Sequence, residues 1–530
     1  MRSDRRTSCN DSSNRTLCLR STLRSVGGGV DGGGVGLWTV PNMVMFQWEN
    51  GKSANLSKLY RREASKCRNV DAKPGVSSGY EALQRMEGYM QKRLGITRRS
   101  FLKAGSAAIA AVGSGLAGIL SARKAFAYVP GTSITFLLWK NFSPPADVEI
   151  IRQATEWGKQ NKVSVTIEQI NGNDIPARAA AAIQSNQGPD IIQFFHNWQN
   201  QYADALVDVT DICTELEGKY GGFIEYARDN ATLGARFTAI PHTIVPNIFV
   251  ARKSHLNAAG TKEWPRTWDD LRREGRKWKA AGHPIGQTIG HTFGDAVNFA
   301  YPYLWSYGVA ERDEHKKVVI NSKQTVEALK FFKALWNDAM DPGGISWDDS
   351  SNNRAFLSGA IAATNNAPSI YLTASNQVLL DERGNPLADD IVHAPNPAGP
   401  VGVFHYHYSQ QLAIPRYSRN VEAAKDFVRW LMDKKQYSKY LRRGQAYQAS
   451  PLKAYMNDAM WQMFPALKLY RDYLLQGRAV GWKGPADGQA AKVVQSYILV
   501  DMLANVATGK MSAEDSAKWA ESRLKTIYGT

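Results

Sequence analysis

The chain alternates between β-rich and helical segments in the region that begins with TSITFLLW at residues 132–139. A second β-rich run, VSVTIEQI, occupies residues 163–170, and a third, PDIIQFF, occupies residues 189–195. Helical patterns at 144–160 and 176–186 separate the three runs. On the first helix we predict an apolar face formed by Val148, Ile151, Ala154 and Trp157. Strands that alternate with helices predict an α/β fold whose parallel sheet is covered by helices on both faces.

The composition places an unusual segment at the start of the chain. The 530 residues exceed what one compact core holds, so at least two lobes are expected. Residues 1–127 carry 21 Lys and Arg against 8 Asp and Glu, whereas residues 128–530 carry 44 against 40. Three of the four cysteines also precede residue 128, which leaves Cys213 as a small buried hydrophobe in our interpretation. Because the charge excess belongs to the leading segment, it does not predict nucleic-acid binding.

That leading segment contains the features of an export signal. Arg98 and Arg99 precede Phe101-Leu102-Lys103, a weakly apolar stretch runs from 104 to 120, and Ala125-Phe126-Ala127 offers a peptidase site before Tyr128. We interpret residues 86–127 as a twin-arginine signal peptide that a twin-arginine translocase would recognise. Residues 1–85 lack periodicity and are expected to be disordered or an over-extended gene start. Since position 128 is not Cys, a soluble periplasmic product is predicted.

Five motifs in the remaining chain carry a family resemblance. They are GPDII at 188–192, AIPHTIVPNIFVARK at 239–253, WPRTWDDL at 264–271, FLSGAIAATNNAP at 356–368 and LAIPRYSRNVEAAKDFVRWLMD at 412–433. In this order and spacing they resemble the extracellular solute-binding proteins of ABC importers, in particular the carbohydrate-binding group that includes maltose-binding protein. The resemblance covers about residue 132 to the end.

The resemblance implies a type II two-lobe binding protein, each lobe a mainly parallel sheet flanked by helices. Lobe 1 would comprise 128–243 and 366–410, and lobe 2 would comprise 244–365 and 411–530. The chain would cross between lobes near 242–246, 364–367 and 407–411, which leaves a hinged cleft. We expect a monomer that captures a sugar, oligosaccharide or polyol and delivers it to the transmembrane subunits of an ABC permease.

Sugars combine apolar C–H faces with a rim of hydroxyls, so their sites need flat rings and polar edges. The region from 128 onward holds 13 Trp, and three of them lie at strand ends or in a glycine-flanked loop. The predicted ligand-binding residues are Trp139, Asn141, His196, Asn197, Trp198, His242, Asp295, Asn365, Asn366, His405 and Trp482. Maltose-binding protein has an acidic and basic pair where this chain has Asn197 and Trp198, so the resemblance does not carry over the same disaccharide.

Two other classes of function remain open at this stage. His405 and His407 alternate with Tyr406 and Tyr408, so both His should share one face, and related iron-binding proteins use paired tyrosines. No third metal ligand is identifiable nearby, and we predict no metal. An exported oxidoreductase or glycosidase is the enzyme alternative. The region from 128 onward has no HExxH, GxSxG or CxxC motif, and acid pairs such as Asp348-Asp349 are interpreted as solvated, so we predict neither catalytic residues nor a cofactor.

Overall fold

The computed structural model describes residues 131–529. The predicted signal peptide at 86–127, with Arg98, Arg99 and the Ala127–Tyr128 cleavage site, and the preceding residues 1–85 lie outside the described residues. None of the helices within 131–529 combines the length and the apolar composition needed to cross a membrane.

The described residues form an α/β architecture in which helices outnumber strands. The strands are β1 Ser133–Trp139, β2 Ser164–Ile170, β3 Ile191–Phe195, β4 Thr232–Leu233, β5 Arg236–Phe237, β6 Ile240–Val245, β7 Ile248–Arg252, β8 Ala363–Asn366, β9 Ile391–Ala394 and β10 Tyr408–Ala413. The helices of the first half are α1 Pro144–Asn161, α2 Ile175–Ser185, α3 Thr210–Tyr220, α4 Glu225–Ala231, α5 Lys253–Ala258, α6 Trp268–Ala280, α7 Asp295–Ser306, α8 Lys323–Ala339 and α9 Ser351–Leu357. Those of the second half are α10 Ser369–Asn376, α11 Leu387–Asp390, α12 Val421–Leu431, α13 Lys434–Arg443, α14 Met460–Met463, α15 Lys468–Tyr473, α16 Gly488–Gln495, α17 Ile498–Ala507 and α18 Ala513–Tyr528.

Five strands form the larger sheet, which we call sheet A. Its order is β2-β1-β3-β10-β6. The three strands predicted from 132 to 195 are present and parallel, and β10 joins them antiparallel to both β3 and β6. The β1 and β3 strands are buried over most of their length because helices cover both faces of the sheet.

Three strands form a second sheet, which we call sheet B, in the order β8-β7-β9. All of its pairs are antiparallel, which differs from the mainly parallel lobe that was expected. A crossover helix is needed only between parallel neighbours, and β7 lies between two strands that are both antiparallel to it.

The two sheets divide the chain differently from the predicted lobe assignment. Next to the crossing expected near 242–246, β6 belongs to sheet A and β7 belongs to sheet B. The return expected near 364–367 does not occur there, because β8 and then β9 pair with β7. The chain returns to sheet A only at β10. Residues 366–407, predicted in lobe 1, therefore include a strand of sheet B, and α12 and α13, predicted in lobe 2, pack against α1 beside sheet A.

Local sequence explains where several helices begin and which face they bury. The Thr267 hydroxyl accepts a hydrogen bond from the Asp270 backbone N–H, and the Asp270 carboxylate accepts one from the Thr267 backbone N–H, which is a capping box at the start of α6. The predicted face of α1 is wrong in two positions. Val148 is 69% exposed and Ile151 is 44% exposed, whereas Ile150, with Ala154 and Trp157, is buried.

Candidate functional site

Aromatic rings from sheet A and from the loop before α7 pack against one another. Trp139 ends β1 and Phe195 ends β3, and both contact Phe293, which lies in the loop before α7. The Phe195 and Phe293 rings stack with centroids 4.4 Å apart, and the Trp139 ring meets Phe293 edge-on at 5.4 Å. Tyr408, the first residue of β10, packs against Trp139 at 6.4 Å. The end of sheet A where parallel strands terminate is thus covered by a residue from the other half of the molecule.

Backbone hydrogen bonds fix Phe293 in this position. Its N–H donates to Asn173 Oδ1 at 3.1 Å, and its carbonyl lies 2.8 Å from His196 Nε2. The loop that carries Phe293 is attached to sheet B farther back, because the N–H of Gly286 donates to the carbonyl of Ala363 in β8. Phe293 therefore joins the two sheets through both ring contacts and hydrogen bonds.

A small cavity of about 10 Å³ opens beside this aromatic cluster. Two carboxylates, one amide and two phenols are among the groups that line it, and they belong to Asp295, Asp349, Asn366, Tyr408 and Tyr447. Asp295 begins α7 and Asn366 ends β8, so α7 and sheet B each bring a polar group to the cavity beside Tyr408, the first residue of β10. The convergence of polar groups beside apolar rings is typical of a small-molecule site.

The two carboxylates in this cavity are buried and close in space. The backbone N–H of Asp295 donates to Asp349 Oδ1 at 2.7 Å, and Asn352 Nδ2 donates to Asp295 Oδ2 at 2.8 Å. Burial raises the pKa of Asp349 to about 6. Burial and the neighbouring Asp349 charge raise the pKa of Asp295 well above its ordinary value. The pair therefore holds a proton under conditions where an exposed aspartate has lost it.

The structure brings three of the predicted site residues to this cavity and its aromatic wall. They are Trp139, Asp295 and Asn366. The side chain of Asn366 also takes part in hydrogen bonds, accepting from Ser369 Oγ at 3.1 Å and donating to Asn353 Oδ1 at 2.5 Å.

Two other predicted residues, Asn141 and Asn365, form hydrogen bonds with neighbouring residues of the protein. Asn141 receives the Ser143 N–H at 2.6 Å and donates to Asp147 at 3.0 Å, so it orders the start of α1. Asn365 Nδ2 donates to Asn396 Oδ1 at 2.7 Å. These positions remain predictions as ligand contacts.

The predicted histidines are all buried. His196 is hydrogen-bonded by both ring nitrogens, at 2.5 Å to the Tyr406 hydroxyl and 2.8 Å to the Phe293 carbonyl, and burial lowers its pKa to about 4. His242 lies between the rings of Tyr437 and Tyr440, where burial lowers its pKa to about 3. His196 is therefore neutral near pH 7 and acts as a cross-link between the sheets.

The alternating segment before β10 has the predicted geometry. The His405 and His407 rings stack with centroids 5.7 Å apart and an interplanar angle of 19°, whereas Tyr406 lies on the other side against His196. His405 has no hydrogen-bond partner at either ring nitrogen and contacts Tyr473 rather than the small cavity. Within 131–529 no group of three or more His, Cys, Asp or Glu side chains is arranged to hold a metal ion.

A larger cavity of about 480 Å³ lies at Trp482. Residues of α4 and of the 475–487 segment line it, including Glu225, Asp229, Arg478 and Lys483 beside the Trp482 ring. Asn197 and Trp198, two further predicted residues, lie behind this segment. Asn197 Nδ2 donates to the Asp487 carbonyl at 3.0 Å, and Trp198 is buried against His196 and Phe195. The three predicted tryptophans therefore do not surround one cavity.

The residues of the small cavity that sequence reasoning missed include Phe293, Asp349, Tyr408 and Tyr447. Asp349 was interpreted as a solvated acid together with Asp348, and only Asp348 is exposed, with 62% of its side chain in solvent. The alternation of the HYHY segment was the available signal for Tyr408. Nothing in the local sequence distinguishes Phe293 or Tyr447 from core residues.

The comparisons with known proteins agree with this architecture. The family model described as bacterial extracellular solute-binding protein matches residues 144–437, which is more than half of the chain. The chain therefore belongs to the bacterial extracellular solute-binding proteins. A relative from Deinococcus radiodurans named "Probable ABC transporter-binding protein" is 23% identical over 298 residues, which cover 53% of this chain and 68% of the relative.

Solved structures show the same two-lobe fold. Maltose-bound MalE3 of T. maritima aligns with a TM-score of 0.65 and 22% identity, over 75% of this chain and 100% of that one. A solute-binding protein of an ABC transporter from Thermotoga lettingae, bound with α-D-tagatose, has a TM-score of 0.65 and 16% identity over the same shares. A third, from Agrobacterium radiobacter in complex with ribitol, has a TM-score of 0.60 and 18% identity, over 75% of this chain and 99% of that one. The fold is that of the type II periplasmic binding proteins, and the chain functions as a solute-binding protein.

Proposed function

We propose that this chain is the periplasmic component of an ABC importer that captures a sugar, oligosaccharide or polyol between its lobes. The observation that carries the proposal is the cavity between the two sheets, where Asp295, Asp349 and Asn366 face the rings of Tyr408 and Tyr447. Hydroxyl groups of a sugar would donate to the carboxylates, while its C–H faces would contact the rings. The maltose, tagatose and ribitol in the three structural neighbours support this class of solute.

A solute could reach this cavity only after the lobes separate. A cavity of about 10 Å³ is barely large enough for one water molecule. The chain passes directly from β6 in sheet A to β7 in sheet B, and it returns through the segment before β10. Rotation about such short connections is the hinge motion by which two-lobe proteins close around ligands.

The solute class is tested by thermal denaturation with a panel of neutral sugars and polyols. A ligand present at 100 times its dissociation constant stabilises the folded state by about 2.7 kcal/mol, so one or more members should raise the melting temperature. If the whole panel leaves the melting temperature unchanged while iron or a peptide raises it, the carbohydrate assignment fails.

The cavity at Trp482 is a second candidate position for the solute, because its volume of about 480 Å³ lies in the usual range for ligand pockets. Two variants distinguish the positions. Tyr447→Phe removes a hydroxyl from the cavity between the sheets, and Trp482→Ala removes the ring from the larger one. We expect about tenfold weaker solute binding for Tyr447→Phe and an unchanged affinity for Trp482→Ala. The reverse pattern would place the solute at Trp482, whose ring would contribute roughly 0.5–1.5 kcal/mol by stacking.

We further propose that the protein is exported by the twin-arginine translocase, acts as a monomer and transfers its solute to the transmembrane subunits of a permease. Replacing Arg98 and Arg99 with Lys keeps the charge and should cause precursor to accumulate in the cytoplasm. The mature protein should begin at Tyr128, which mass spectrometry can determine. Normal periplasmic yield of the double variant would contradict this export route.

We propose a binding role without catalysis, and the enzyme alternative has a direct test. Purified protein should return each bound sugar chemically unchanged after prolonged incubation. Conversion of a sugar that also raises the melting temperature would instead support an exported glycosidase or oxidoreductase.

A further inference from the structure

The acid pair in the cavity between the sheets has an unused hydrogen-bonding capacity. Asp349 Oδ1 accepts the Asp295 N–H at 2.7 Å, and the Thr292 side chain and the Gly294 backbone also act on this carboxylate and partly offset the rise in its pKa that burial causes. Asp349 Oδ2 still has no hydrogen-bond partner within normal distance, although the residue is only 8% exposed. Asp349 lines the cavity, as does Asp295, whose Oδ2 is held by Asn352. A buried carboxylate oxygen without a donor is costly, so this atom is ready to accept a donor from a ligand.

The charge of this pair also lacks a cationic partner within the described residues. No Lys, Arg or His lines the cavity. Two ionisable groups that are close to the pair in sequence have partners of their own: Asp348 pairs with Arg354 at 3.6 Å on the exposed side, and His291 lies 2.7 Å from Asp501. Asp348 adds a further negative charge that acts on both buried acids. A neutral hydroxyl can satisfy the free oxygen, but only a cation stabilises the pair with both acids ionised.

We propose that the solute is a polyhydroxylated amine, an amino sugar or amino polyol, whose ammonium group binds between Asp295 and Asp349. This inference rests on the proposed function and specifies its solute. An ammonium carries three donors, so it can reach Asp349 Oδ2 and still donate to a neighbouring oxygen. Acidic sugars such as uronates are excluded, because their carboxylate would add a third buried negative charge.

Binding of an amine should release a proton. Burial raises the pKa of both acids, so the ligand-free pair retains a proton at pH values where exposed aspartates are ionised. An ammonium favours the doubly ionised pair, and the displaced proton passes to the buffer. The other titratable groups around the pair are the phenols of Tyr408, Tyr447, Tyr470 and Tyr497, whose raised pKa values keep them neutral, together with Asp348 and the exposed His291.

The experiment is titration calorimetry at pH 7 with matched probes on the full chain. The pairs are glucose with glucosamine, galactose with galactosamine, mannose with mannosamine, and sorbitol with glucamine. The N-acetylated hexosamines and glucuronate complete the set. At least one amine should bind ten or more times more tightly than its neutral counterpart, and its N-acetyl form should lose that advantage. Titrations in phosphate and in MOPS, which differ in ionisation enthalpy and contain no primary amine, should show net proton release.

Variants locate the preference. Asp349→Asn should lower the ratio of amine to neutral affinity at least fivefold, and Asp295→Asn serves if Asp349→Asn does not fold. Asp348→Asn is the matched control, because its carboxylate is exposed, and the ratio should persist. Neutral probes that bind as tightly as their amines, or a ratio that Asp349→Asn leaves unchanged, would overturn the amine proposal while the sugar-binding function stands. Failure of every probe to bind would overturn both.

Discussion

Gly172 offers a way to test whether Phe293 holds the two lobes together. Gly172 precedes α2, and a Cβ atom added to it would lie 2.4 Å from Cε1 of the Phe293 ring. The Phe293 ring would have to move by 1.0 Å to restore an ordinary contact distance of 3.4 Å. The ring cannot turn aside, because Phe195, Trp139 and Tyr408 enclose it at centroid distances of 4.4, 5.4 and 5.9 Å. Gly172→Ala should therefore push the Phe293 loop, and sheet B with it, away from sheet A.

The magnitude follows from the ring contacts. Each aromatic pair contributes about 0.5–1.5 kcal/mol, so loss of the Phe195 and Trp139 contacts should cost the closed form about 1–3 kcal/mol. At 1.4 kcal/mol per decade, the ratio of open to closed molecules rises roughly 5- to 150-fold. Small-angle scattering of the ligand-free protein should show a larger radius of gyration.

The matched control is Gly218→Ala, since no atom lies within 4 Å of a Cβ at that position. This variant should scatter like the wild type. An unchanged scattering curve for Gly172→Ala, with or without a lower melting temperature, would show that the ring repacks locally and would refute the argument.

Two further predictions concern buried charge. Arg312 is buried and pairs with Asp487 at 2.8 Å. Arg312→Met should lower the free energy of unfolding in urea by about 3 kcal/mol, whereas Arg266→Ala, at an exposed pair, should change it by less than about 0.5 kcal/mol. Equal effects of the two substitutions would contradict the difference expected between a buried and an exposed ion pair. The pKa of Asp349 is raised from 3.8 to about 6, so the folded state keeps a proton that the unfolded chain loses. The free energy of unfolding should therefore fall by up to about 3 kcal/mol as the pH rises from about 4 to 6. Asp349→Asn should flatten that decline, although Asp295, whose pKa is also raised by burial, and Asp147, whose pKa is about 6, leave a residual slope. An unaltered pH profile would show that Asp349 titrates normally.

The first lobe could be predicted because its signals are local. The runs at 132–139, 163–170 and 189–195 become β1, β2 and β3 within two residues of the expected bounds. Alternation likewise placed His405 and His407 on one face. The face of α1 was predicted less well, since Val148 and Ile151 are apolar residues that the structure leaves exposed. Composition cannot show that a neighbouring residue such as Ile150 is the one that meets the sheet.

The second lobe and the site depend on contacts that are distant in sequence. The strand at 363–366 looked like a crossing point, yet β9 follows it into sheet B because β7 offers a free edge on its other side. Asp348 and Asp349 are adjacent and chemically identical, and only the start of α7, more than fifty residues earlier, determines that Asp349 is buried. No local pattern carries that information.

The abundance of aromatic residues was a misleading guide to the position of the site. It suggested stacking surfaces for a sugar, but much of it fills the space between the sheets. The ring of Trp305 packs against Trp482 and Tyr406, with centroids 5.9 Å and 5.8 Å away. The Tyr406 hydroxyl lies 2.5 Å from His196 Nδ1, and the other ring nitrogen of His196 lies 2.8 Å from the carbonyl of Phe293, whose ring contacts Trp139. These rings form a continuous connection from the Trp482 cavity to the cavity between the sheets. A ring in such a protein is therefore evidence for a solute site only where polar groups without partners converge beside it, and that condition is met at Asp349.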